Sequence, residues 1–151
     1  MDNEDVYNPD LDPLIQPALS VSDLSQIAFD RNITDIEIIP DEPSHEWWCY
    51  YYQKGDAAAQ QDDWATALDL YKQARTAGHR AYASSEYMPF LQAAAHQDEW
   101  DLAADISLDA SFLTNSTAQI CETWQALQEE VTIPENLLTY LVDRFQCTNL
   151  E

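Results

Sequence analysis

The chain writes one phrase twice. AAAQQDDW, Ala57 to Trp64, returns 36 residues later as AAAHQDEW, Ala93 to Trp100. Carried further, WATALDLYKQA (Trp64–Ala74) falls against WDLAADISLDA (Trp100–Ala110), and nine of the eighteen aligned positions are identical. This is an internal repeat, and it constrains the fold more than any other feature. Each copy is one structural unit that buries its apolar face against its neighbour.

The unit reads as two helices joined by a tight turn. Ala57–Ala59 end a first helix, QQDD makes the turn, and Asp62 or Asp63 is the N-cap of the next. Trp64, Ala67, Leu68 and Tyr71 then recur at helical spacing. Gly78 supplies a left-handed stop. Ser84 or Ser85 is the cap expected for the following helix, whose first turn tolerates Pro89. In the second copy Ala93–Ala95 pack, Asp98 or Glu99 opens the next helix with Asp98 as the expected cap, and Trp100 anchors it. The alanines ending each first helix let the second approach closely.

On these residues the unit resembles a tetratricopeptide repeat. The first copy offers Tyr51, Gly55 and Ala58, then Ala67 and Tyr71 four residues apart. The second offers Tyr87, Leu91 and Ala94, then Ala103 with Ser107 where the family has an aromatic. His79 and Asn115 stand where the family has proline. The match covers about half the chain, and its second copy is degenerate. The resemblance implies an all-α fold of stacked antiparallel helical hairpins. It also implies a concave groove lined by Tyr52, Asp56 and Gln60 of the first copy and Met88, Gln92 and His96 of the second. Such a groove takes a peptide or a neighbouring protein segment.

A wider resemblance joins PSHEWWCYYYQKGDAAAQQDDW to EYMPFLQAAAHQDEW and ICETWQAL. These runs are similar to the soluble C-terminal region of bacterial multi-pass membrane proteins, glycosyltransferase-like or uncharacterised. That implies a helical tail at a membrane, on its extracytoplasmic side, with any catalytic residues in the membrane portion. The opening MDNEDV and the closing Leu150-Glu151 then read as an added start and a cloning scar.

The expected organisation follows. Residues 1–42 are an acidic, extended capping segment, with SVSDLSQIAFD as a short helix, TDIEII (Thr34–Ile39) as a strand-like run and residues 1–20 irregular. Residues 43–115 hold the two hairpins, and residues 116–149 form capping helices. Ser116–Gln119 reads as a capping box for a helix presenting Ile120, Trp124 and Leu127. Thr132–Glu135 opens a last helix with Leu138, Tyr140, Leu141 and Phe145.

The charge excludes some partners. Twenty-eight acids against six Lys and Arg give −22, and residues 1–42 hold eleven acids against Arg31 alone. Such a field repels nucleic acid and anionic lipid, and no run of eighteen apolar residues suggests membrane insertion. It also raises a second functional reading, an acidic decoy that binds a basic protein.

Chemistry-bearing motifs are scarce. His45 and Glu46 are the nearest thing to an acid/base pair, and adjacent residues do not face each other on a helix. No zinc, P-loop, dinucleotide or serine-hydrolase signature is present, and DNED with NPDLDP lacks the pattern of a calcium loop. No cofactor or metal is therefore expected. The HEWWCYYYQK run (His45–Lys54) reads as a helix sandwiched by neighbours, with Trp47, Tyr51 and Ala58 on one side, Trp48, Tyr52 and Gly55 beside them, and Cys49 a buried thiol. Cys121 and Cys147 pair if their helices are antiparallel. The expectation is a non-catalytic scaffold for protein contacts.

Overall fold

The computed structural model describes residues 47–113, 116–148 and 150, together with Asp12, Pro13, Leu14 and Pro17. The elements expected before residue 43, the His45–Glu46 pair and Asn115 lie outside these residues. Among those described, the fold is all-helical: α1 (Trp48–Ala59), α2 (Trp64–Thr76), a 3-10 turn (Ser84–Tyr87), α3 (Met88–His96), α4 (Trp100–Ser111), α5 (Thr117–Glu130) and α6 (Glu135–Phe145). Helix α1 packs on α2 and α3, α3 on α4 and α5, and α5 on α6.

The repeated octet forms the same turn twice. Asp62 and Asp98 both take the left-handed conformation, with φ of 58° and 57°. Asp63 N–H donates to the Ala58 carbonyl at 3.0 Å, and Glu99 N–H to that of Ala94 at 2.9 Å. Asp62 and Asp98 N–H donate in turn to Ala59 and Ala95. These paired bonds satisfy the carbonyls at the end of the first helix and reverse the chain. Aspartate suits the corner because its short polar side chain tolerates the left-handed region. Gly78, at φ 84°, ends α2 with the same pair of bonds, from Gly78 to Arg75 and from His79 to Ala74.

The capping follows the sequence reading at Asp63 and differs from it further along the chain. Asp63 is the side-chain cap, accepting from Thr66 N–H at 3.1 Å. Asp98 is the corner of its turn, and Glu99 stands at the N-cap without a side-chain bond. Ser84 and Ser85 lie inside the 3-10 turn, and α3 starts only at Met88 with Pro89 in its first turn. Glu86 holds that entry instead, accepting from Tyr82 and Ala83 N–H at 2.9 and 3.3 Å. The Ser116–Gln119 capping box does not form. The Ser116 hydroxyl turns to the Leu113 carbonyl, and the Gln119 amide oxygen accepts from the buried Ser84. Helix α6 begins at Glu135 after Pro134, again without a side-chain cap.

One core runs through all six helices. Helix α1 contributes Trp48, Tyr51, Gly55, Ala58 and Ala59, spaced three, four and one apart as an apolar stripe requires. Cys49 lies off that stripe and is an exposed free thiol, contrary to the buried role expected from its aromatic neighbours. Trp47 stands at the N-cap, 62% exposed, rather than on the buried face. Gly55 has a packing reason to lack a side chain. A Cβ there would lie 2.2 Å from Cε1 of Phe90, which is fully buried on α3 between Trp48 and Tyr71.

The degenerate position of the second copy is filled from elsewhere. Ser107 is fully buried, and its hydroxyl accepts the indole N–H of Trp124 at 2.9 Å while donating to the Ala103 carbonyl. The aromatic missing from α4 is thus replaced by one on α5. A third pair of helices then follows without any sequence echo: α2, α4 and α6 begin at residues 64, 100 and 135. Cys121 on α5 is bonded to Cys147 just beyond α6, which ties the last helix down.

Candidate partner-binding surface

The six positions expected to line a groove form two rows. Tyr52, Asp56 and Gln60 repeat every four residues along one side of α1, so they share a face. Tyr52 and Asp56 are half-buried and Gln60 is exposed at the helix end. The Gln60 amide donates to the Asp56 carboxylate at 2.8 Å, which fixes both side chains on that face. Tyr52, Asp56 and Gln92 also take part in further polar or ring contacts.

On α3 the row Met88, Gln92, His96 runs beside α5. Met88 is buried, and its sulfur accepts from the Thr123 hydroxyl at 3.3 Å. His96 is stacked flat on Trp64, with ring centroids 4.1 Å apart and planes 5° apart. Its Nε2 lies 3.0 Å from a carboxylate oxygen of Glu130, the last residue of α5. That approach is close enough for an ion pair with a protonated imidazole, yet it is not aligned as a hydrogen bond. Helix α5 therefore covers both ends of the α3 row, and Gln92 remains half-buried between them. The Trp64–His96–Glu130 cluster joins α2, α3 and α5. Nothing in the local sequence pattern marks this cluster, because its three members come from three different helices.

Ion pairs link the two copies. Arg75 on α2 donates to the Tyr71 hydroxyl at 3.0 Å and pairs with Asp109 on α4. Lys72 reaches Glu99 at 2.5 Å between partners that are well exposed, so this bridge adds little to stability. Burial pushes the Tyr71 hydroxyl well above the ordinary phenol range, with Arg75 opposing. Tyr87 is raised for the same reason, with Asp109 adding to the effect. Burial works against the Arg75 charge, but Tyr71 and Asp109 more than offset it and hold the guanidinium above its usual value.

Among the described residues no cluster of three His, Cys, Asp or Glu side chains is arranged to hold a metal. None of the described helices is long and apolar enough to cross a membrane. A pocket of about 360 Å³ lies beside the disulfide, lined by Thr117, Cys121, Glu122, Gln125, Phe145 and Thr148 among others. It is a groove between the end of the chain and α5. The Trp48 indole N–H is buried beside Tyr87 and Phe90 without an acceptor. Comparison with protein-family models, curated proteins and solved structures finds no match.

Proposed function

We propose that this chain is a non-catalytic scaffold of tetratricopeptide-like hairpins. It binds an extended segment of a protein along the face of α1 that carries Tyr52, Asp56 and Gln60, with Gln92 of α3 beside it. The observation that carries the reading is the turn written twice, with the same left-handed aspartate and the same crossed pair of bonds, 36 residues apart. Units related in this way lay equivalent helices side by side, and such rows present a continuous surface to a partner. An aromatic ring, a carboxylate and two amides suit hydrogen bonding to a peptide backbone rather than a phosphate. In this reading the chain is the tail of a membrane protein, and the partner is either the membrane portion of that protein or a separate chain.

A photo-crosslinking residue at Gln60, with exposed Asp101 on α4 as control, tests the surface in the full chain. The reading requires one adduct with another protein segment at Gln60, absent at Asp101 and reduced by Tyr52→Ala. Adducts formed only within the chain itself would show that the surface is self-occupied, and would end the proposal.

One observation favours a second reading. Asp98, Asp101 and Asp105 are exposed and follow one another at helical spacing on and before α4. Neutralising Asp101 and Asp105 to Asn tests an acidic decoy directly. That role requires strongly salt-dependent binding to a basic protein, weakened in the double variant.

A further inference from the structure

We propose that the Cys121–Cys147 disulfide is a reducible latch, opened by a small neutral dithiol that enters the pocket beside it, and that its opening releases α6. The latch is separate from the partner surface above and does not depend on it. The bond joins Cys121, in the second turn of α5, to Cys147, just past the end of α6. Both cysteines line the pocket of about 360 Å³. One wall is the face of α5 on which Thr117, Cys121 and Gln125 follow one another at helical spacing, Thr117 and Gln125 being exposed. The other is the turn after α6, where Gln146 takes the left-handed conformation at φ 59° and carries Cys147 back onto α5. A volume of that order admits a small molecule, and a disulfide that thiols can reach is an exchangeable one.

The chemistry follows from which sulfur is accessible. Cys121 is half-buried whereas Cys147 is 3% exposed, so the sulfur within reach is that of Cys121. A thiolate of the dithiol attacks Cys121 Sγ, and the S–S bond breaks. Its electron pair leaves with Cys147 Sγ, which takes a proton from water. The remaining thiolate of the dithiol then attacks the dithiol sulfur of the mixed disulfide and expels Cys121 as a thiolate. The dithiol ends oxidised, as a cyclic disulfide, and the protein ends reduced, with both cysteines free.

Charge selects the reductant, and packing sets the consequence. Glu122, next to Cys121, puts a carboxylate into the pocket wall, and the chain carries −22 overall. A neutral dithiol arrives with its thiolate charge alone, whereas glutathione adds a further negative charge and is repelled more strongly. Opening acts on α6 because little else holds that helix. It packs on α4 and α5, its buried side chains are Leu137, Leu141 and Phe145, and it starts without a side-chain cap.

Reduction of the folded full chain by dithiothreitol, followed by thiol titration, tests the latch. A Cys49→Ser background removes the exposed free thiol, so that only the latch titrates. The rate should rise in proportion to dithiothreitol concentration. It should fall about tenfold in Gln125→Trp and in Ala118→Trp, where an indole fills the pocket from an exposed position. Glu122→Gln should speed reduction by glutathione about threefold and reduction by dithiothreitol less. Amides of α6 should exchange about a hundredfold faster in the reduced protein, with those of α1, α2 and α3 unchanged. A rate that levels off at the global unfolding rate, or that both pocket-filled variants leave as in wild type, would overturn the proposal. Equal gains with the two thiols in Glu122→Gln, or protection lost evenly through α1, α2 and α3, would do so as well.

Discussion

Substituting Gly55 by alanine sets two effects of opposite sign against each other. In a solvent-facing helix interior the change adds about 1 kcal/mol through backbone entropy and helix propensity. Here the new methyl would lie 2.2 Å from Phe90 Cε1, 2.7 Å from Cζ and 3.4 Å from Cδ1. The ring has no room to retreat, since Phe90 is fully buried and packs against Trp48 at 5.6 Å and Tyr71 at 5.2 Å. Overpacking of this kind costs about 1–3 kcal/mol. We therefore expect Gly55→Ala to destabilise the protein by a net of up to about 2 kcal/mol, lowering Tm by as much as several degrees. Chemical denaturation of Gly55→Ala, Phe90→Leu and the double variant measures the pair. The smaller side chain should remove part of the clash, so the two costs should fall short of additivity by about 1 kcal/mol. A Gly55→Ala protein more stable than wild type, with additive costs, would refute the reasoning.

Four further outcomes are expected. Ser107→Ala leaves the buried Trp124 indole without an acceptor and should cost about 1–3 kcal/mol by denaturant titration; Ser107→Tyr, which restores the aromatic that Tyr71 supplies in the first copy, should cost more because Ser107 is fully buried against Trp124. Gly78→Ala meets nothing within 4 Å but must hold φ at 84°, so calorimetry should show a loss of about 1 kcal/mol from backbone strain alone. Removing the disulfide with Cys121→Ser/Cys147→Ser opens a link across 26 residues and should cost about 3–4 kcal/mol, with the largest loss of amide protection in α6. Tyr71 and Tyr87 have folded values raised above the unfolded one; their contribution is therefore full below about pH 10 and lost as pH rises toward the folded values. Tyrosinate absorbance and circular dichroism should move together in an alkaline titration, and Tyr71→Phe should flatten that loss.

The sequence disclosed what depends on local pattern. The repeated octet located two turns, Gly78 ended α2, and Ile120, Trp124 and Leu127 are buried on α5 as their spacing implied. Where several neighbours compete for one role, the pattern was not enough. Asp98 and Glu99 are both plausible caps, and the left-handed corner took Asp98. Cys49 sits among five aromatic residues, yet its position falls off the buried stripe. Contacts distant in sequence were the least legible. Neither the pairing of Ser107 with Trp124 nor the flat stacking of Trp64 on His96 leaves a local mark. The third pair of helices keeps the spacing without the wording, because its packing is set by different residues. Of the groove positions, sequence placed the α1 row on one face, while the cover supplied by α5 emerged only from the fold.

The central claim is that α5 packs into the core of the repeated units, joined to α4 through Trp124 and Ser107. Hydrogen exchange at the Trp124 indole N–H, followed by nuclear magnetic resonance in the full chain, tests this directly. The account predicts a protected indole proton that exchanges only with opening of the core, as the amides of α3 and α4 do, and loses its protection in Ser107→Ala. Free exchange of that proton with solvent, while α3 and α4 stay protected, would contradict it.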